Sequence, residues 1–184
     1  MTRFSIPEKI DPQKVRIIMV CEALPENKQD YFYSSGNSLY VTNTVEAFKS
    51  AGIEVKDIDD IIGKGVYLTV AVKAPRGGLI VPPEVIQKHS YALEEELNLF
   101  PNVKAILLMG DAAIKALNFI SQRATGAKTI PSGSTYKIRK GEFYFKNIRV
   151  FPSYLQTGKN FLIEKSKQKM VVEDIRNAFS LLSS

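Results

Sequence analysis

The chain has 184 residues, 45% of them hydrophobic, with 25 Lys and Arg against 19 Asp and Glu, a formal charge of +6. At about 150 residues per domain this reads as one domain over 1–184, long enough to bury roughly 70% of its unfolded surface without a disulfide or metal staple. A lone cysteine, Cys21, excludes an internal disulfide and a cysteine-based metal or iron-sulfur site; with no apolar leader and no run of about 18 apolar residues, a cytoplasmic protein away from membranes is expected.

Short apolar runs alternate with helical patterns, the signature of a parallel sheet. Val15–Val20 reads as a buried first strand leading into a long irregular segment, 21–37. The stretch 43–52 reads as a helix capped by Asn43 or Thr44 and stopped by Gly52. A short acidic turn or helix, 55–62, leads to a second strand, Val66–Val72. Pro82 and Pro83 open a helix running to about Leu99, since proline is tolerated in a first helical turn. A third strand, Val103–Met109, precedes a helix from Ala112 to about Gln122. The Gly-, Ser- and Thr-rich stretch 126–136 reads as a mobile loop. A small hairpin turning at Lys140-Gly141 feeds a fourth strand, Ile148–Phe151, and Asn160 can cap a last helix with apolar positions from Phe161 to Phe179. The expected architecture is a three-layer α/β/α sandwich around a four-stranded, mainly parallel sheet.

Ligands of open parallel sheets bind at the carboxyl ends of the strands, so the loops beginning at Cys21, Lys73, Gly110 and Pro152 are the places to look. The first carries Glu22, Glu26 and Asp30 beside Tyr31, Phe32 and Tyr33. Carboxylates there suit general-base work or stabilisation of a developing cation, and an aromatic ring offers a planar face. The plainer alternative is an acidic, aromatic surface loop. The last loop, Ser153-Tyr-Leu-Gln-Thr-Gly-Lys-Asn160, places a hydroxyl, a glycine and a lysine before the expected helix start, a suitable seat for a phosphate. The alternative is an ordinary strand-to-helix turn.

Charge is unevenly spread. From Ser121 onward there are 12 basic and 4 acidic residues, a net of +8, which leaves 13 basic and 15 acidic, a net of −2, for the first 120. Such asymmetry suggests a face that attracts an anion, and Arg76, Lys137, Arg139 and Lys140 can widen it, although exposed lysines are also ordinary solubilising residues. His89 lies mid-helix without a partner histidine and is read as a surface or partly buried residue; Cys21 ends a buried strand and is read as a small hydrophobe. No Walker loop and no Gly-x-Gly-x-x-Gly follows a strand, and no cofactor is expected.

Several segments together resemble the uracil-DNA glycosylase superfamily. Val20-Cys-Glu-Ala-Leu-Pro25 and Ser35-Gly-Asn-Ser-Leu39 stand where that family has a Gly-Glu-Ala-Pro-Gly loop and a Gly-x-x-Leu step. Tyr67-Leu-Thr-Val-Ala-Val-Lys73 and Pro83-Glu-Val-Ile86 parallel its second strand and next helix; Ala105–Leu117 its third strand and helix start; Phe151-Pro-Ser-Tyr-Leu155 its His-Pro-Ser-x-Leu motif. The match runs from about Val15 to Ile175. It implies hydrolysis of the N-glycosidic bond of a deaminated or damaged base flipped out of DNA, in base excision repair. The catalytic carboxylate would be Asp30 first and Glu22 second, with Phe32 stacking on the base and Val70 and Phe151 at the base-binding positions. DNA would be held by Ser153, Leu155 as a wedge, Lys159, Asn160, Arg76, Lys137 and Arg139. The family's base-reading Asn falls on Val70 and its His on Phe151, and an apolar residue cannot read a base edge. The second expectation is therefore a non-catalytic descendant that binds nucleic acid or a nucleobase. No obligate protein partner is expected.

Overall fold

The computed structural model describes residues 5–34 and 36–183, so Ser35 of the Gly-x-x-Leu resemblance lies outside the described residues. Five strands form one sheet: β1 (Ile17–Leu24), β2 (Val66–Pro75), β3 (Ala105–Met109), β4 (Phe143–Phe145) and β5 (Ile148–Ser153), in the order β2-β1-β3-β5-β4. All neighbours pair in parallel except β4 with β5. The helices are α1 (Leu39–Ser50), α2 (Ile58–Gly63), α3 (Pro83–Leu97), α4 (Asp111–Thr125), α5 (Thr135–Ile138) and α6 (Lys165–Ser180). Among the described residues no helix is long and apolar enough to cross a membrane.

The central strands are apolar on both faces because both faces are covered. Ile17, Met19 and Cys21 of β1 join Leu107 and Met109 of β3 in a cluster closed by Phe48 of α1 and Val171 and Ile175 of α6. Ile18, Val20, Ile106 and Leu108 point to the opposite cluster, closed by Leu93 of α3 and Ala113 and Leu117 of α4.

The sheet has five strands instead of four. Residues 136–149 do not form one hairpin about Lys140-Gly141: Thr135–Ile138 is helical, and the chain reverses at Lys146 and Asn147, whose φ angles of 48° and 64° suit the tight connection of β4 to β5. Helix α1 starts four residues earlier than expected, because the Ser38 side chain accepts from the Val41 amide. Asn43 and Thr44 are thereby carried into the interior, where Asn43 donates to the carbonyls of Gln156 and Gly158. Asn160 does not cap the last helix, which begins at Lys165; its carbonyl instead accepts from the amides of Ile163 and Glu164 in a preceding turn. The 126–136 stretch is tied down, since the Asn118 side chain brackets both backbone groups of Ile130 and Ser121 donates to the Ala127 carbonyl.

One polar cluster anchors β2. Glu96 of α3 accepts from Tyr67 Oη at 2.6 Å and Thr69 Oγ1 at 2.5 Å and pairs with Lys73, whose ammonium also donates to the Val70 carbonyl at 2.6 Å. His89 Nδ1 accepts from the Lys73 amide at 3.2 Å. The two charged side chains are 8% and 3% exposed, and removing one member of such a pair strands the other charge. We therefore expect Glu96→Leu to lower unfolding free energy by about 3–5 kcal/mol in urea titration, and the double change Lys73→Met with Glu96→Leu to recover most of that loss. A double variant no more stable than the single one would contradict this.

Candidate functional site

A cleft of about 560 Å³ opens at the carboxyl ends of β1, β3 and β5. Glu22 comes from β1, Gly110 and Asp111 from the β3–α4 junction, Ser153 from the end of β5, and Leu155, Lys159 and Asn160 from the segment after it. Gly133, Ser134 and Thr135 form one wall, and Lys167 of α6 closes the rim. A larger hollow of about 780 Å³ lies between Glu54 and Lys64, ahead of the amino end of β2. It is lined by a single stretch of chain, whereas the cleft gathers groups from several strands.

Glu22 is the most informative side chain in the cleft. It is 12% exposed, with Arg76 Nη2 3.6 Å from its Oε2. Burial pushes its carboxyl above the ordinary carboxylate range, helped by the Asp111 carboxylate, while Arg76, the Ala112 amide and Lys115 pull the other way. The backbone makes room for it: Gly110 has φ of 105°, and a β-carbon there would collide with the Glu22 carboxyl.

The wall beside Glu22 is held by a second buried acid. Asp174 of α6 accepts from Ser153 Oγ at 2.6 Å and from Arg139 Nη2 at 2.8 Å. Arg139 also reaches Glu173 at 2.7 Å and the Met170 carbonyl at 3.1 Å. This knot joins the end of β5, α6 and α5. Beneath the loop, the Gln156 amide donates to Thr44 Oγ1 at 3.1 Å and to Cys21 Sγ at 3.2 Å. Burial pushes the Cys21 thiol up to about 12, so it is a packed, un-ionised group.

The expected site residues separate into three groups. Glu22, Ser153, Leu155, Lys159 and Asn160 meet at the cleft, and Arg76 touches it through Glu22. Asp30 does not line it: it ends a 3-10 turn, Lys28–Asp30, and its carbonyl accepts from Ser38 Oγ. Phe32, Val70 and Phe151 are core residues, exposed by 1%, 0% and 6%. The Phe32 ring packs against Tyr31 and Tyr40, leaving no face for a base. Phe151 lies under the Arg149 guanidinium. Arg139 is 8% exposed and engaged by acids, so it fastens α5 and is unavailable to a phosphate. Lys137 is exposed on α5 outside the cleft lining. Because α6 begins only at Lys165, the Ser153–Asn160 segment is not backed by a helix start.

Sequence reasoning missed Asp174, Ser134 and Thr135. A Gly-Ser-Thr stretch signals a loop but not where it docks, and the partner of Arg139 lies 35 positions away.

A carboxylate whose folded-state titration is raised costs stability in its ionised form. The cost is absent at low pH and grows as pH rises through the raised value. We expect Glu22→Gln to melt above the parent protein at pH 8 and at the same temperature once both side chains are neutral, below the ordinary carboxylate value of 4.5. Equal melting temperatures at both pH values would contradict this. No protein-family model matches the chain, and no curated protein matches it by sequence.

Proposed function

We propose that the chain is a DNA N-glycosylase-like protein that hydrolyses the bond between deoxyribose and a flipped, deaminated or damaged base in base excision repair, on a fold of the uracil-DNA glycosylase type. The supporting observation is the placement of Glu22: a largely buried carboxylate at a strand's carboxyl end, set in a cleft lined by Lys159 and Lys167. Cleaving an N-glycosidic bond builds positive charge on the sugar and needs a water positioned against it. In the proposed reaction, water attacks C1′ and the C1′–N bond breaks with its electron pair leaving on the base. Glu22 accepts the water's proton and returns it, directly or through solvent, to the departing base, which leaves a free base and a 1′-hydroxyl sugar. Burial makes the carboxylate more basic, which suits it to that transfer.

This reading reassigns two roles given from sequence. The carboxylate role passes from Asp30 to Glu22, since of these two Glu22 lines the cleft and Asp30 does not. For a wedge against the duplex, Ile163 in the turn beyond Asn160 is 75% exposed, whereas Leu155 is half-buried and packs against the core. The buried, apolar Val70 and Phe151 favour the second reading, a non-catalytic nucleic-acid or nucleobase binder, because no base edge can be read from those positions.

Single-turnover incubation with oligonucleotides carrying uracil, hypoxanthine or xanthine, scored for abasic sites, distinguishes the readings. The glycosylase reading expects cleavage of at least one lesion and a loss of about 100-fold or more in Glu22→Gln. Cleavage unchanged in that variant removes Glu22 from the chemistry. Complete inactivity with binding that weakens steeply with salt supports the binder.

A further inference from the structure

We propose that Arg76 is a positioning residue that serves as an exchangeable counter-ion, holding the Glu22 carboxylate in the free protein and moving to a backbone phosphate when a nucleic-acid strand enters the cleft. The exchange rests on the nucleic-acid reading above; the pairing with Glu22 does not.

Four observations carry it. The first is distance. Arg139 meets Asp174 at 2.8 Å and Arg123 meets Glu94 at 2.7 Å, whereas Arg76 stands 3.6 Å from Glu22, the longest ion pair among the described residues. At that separation the attraction acts as charge on charge, without the aligned hydrogen bonds of a forked arginine–carboxylate pair.

The second is exposure. The Arg76 side chain is 39% exposed and that of Glu22 is 12%, so the cation already faces the water from which a ligand would come, while the anion stays inside. Arg139, a fixed structural arginine, is 8% exposed.

The third is backbone context. Arg76 directly follows the last residue of β2, Pro75, and precedes Gly77 and Gly78, where an added β-carbon would meet nothing within 4 Å. The chain that follows Arg76 is therefore bordered by open space at these two positions.

The fourth is the set of charges around Glu22. Asp111 and Lys115 face it from α4, Cys21 neighbours it on β1, and Tyr40 approaches from α1, also within reach of Arg76. Lys159, Glu164 and Lys167 share the cleft. Among these cations Arg76 has the strongest pull on the carboxylate.

A phosphate oxygen pair offers the guanidinium two aligned, charge-assisted bonds in place of one loose contact. Once Arg76 leaves, burial and Asp111 act on Glu22 with less opposition, and the carboxylate becomes a stronger proton acceptor when a strand is present. Binding and readiness for proton transfer are then coupled through one side chain.

The test is a carbon-13 NMR titration of Glu22 in the full chain for the parent protein, Arg76→Gln and Arg76→Lys. Each is measured alone and with a duplex carrying one 2′-fluoro-2′-deoxyuridine, which resists cleavage. The expected result is that Glu22 titrates at higher pH in free Arg76→Gln than in the free parent, with Arg76→Lys between them. The duplex should also raise the parent value more than that of Arg76→Gln. Identical titration of the free parent and Arg76→Gln overturns the pairing. Equal shifts on adding duplex overturn the exchange, because Arg76 would then have stayed in place. If fluorescence anisotropy shows no binding of the duplex, the nucleic-acid reading and the exchange both fail, and the free-protein titrations still decide the pairing.

Discussion

The cleft exists because Asp174 is buried and must be neutralised. A carboxylate that is 2% exposed is tolerable inside a protein only when its oxygens are satisfied, and Asp174 recruits Ser153 from the end of β5 and Arg139 from the residue after α5. Those bonds bring three segments far apart in sequence to one place. Helix α5 has only four residues and too few hydrogen bonds to stand alone. Its position against α6, and with it the wall formed by Ser134 and Thr135, follows from the Arg139 guanidinium being drawn into the interior. Gln156 performs a neutral version of the same task below the loop, where its amide bonds Thr44 and Cys21 while Asn43 holds its carbonyl.

Three acids lie near or inside the walls of this protein, and their pairing differs in kind. Glu96 is engaged by Lys73, Tyr67 and Thr69, and Asp174 by Arg139 and Ser153. Both are read as structural because they are 3% and 2% exposed and held by protein partners. Glu22 has a loosely held Arg76, the charge of Lys115, one backbone amide and an opening to solvent. An acid that is buried enough to be perturbed yet open on one side is the arrangement found at functional sites more often than in structural networks.

The elements that were legible in sequence are those whose pattern is local. The apolar runs of β1 and β3 and the proline start of α3 announced themselves because period and punctuation act over a few residues. The caps misled because Asn43, Thr44 and Asn160 have side chains or backbone groups equally able to bond elsewhere, and tertiary partners decided their use. The site was legible by region and not by residue. Three of the four strand-end loops meet at the candidate cleft, and Glu22 is among the expected carboxylates, but Asp30 ranks above it because exposure to a cleft has no sequence signature. Phe32, Val70 and Phe151 show the same limit: an aromatic or valine beside a motif reads identically whether its side chain faces ligand or core. The count of positive charge from Ser121 onward treated Arg139 like a surface lysine, since composition cannot see that an arginine is spent on a buried aspartate.

The edges of the sheet bear on how the molecule behaves in a crowded solution. Strand β2 is a long outer strand, and such strands invite a foreign chain to add on by backbone pairing. Here the Tyr33 hydroxyl donates to the Leu68 carbonyl at 2.6 Å and accepts the Leu68 amide at 2.8 Å. One phenol thus occupies both main-chain groups that an incoming strand would need at mid-edge. At the far side β4 spans only three residues, too short a template for templated growth. The same aromatic loop that frames the first strand's exit therefore acts as a guard against sheet-to-sheet polymerisation.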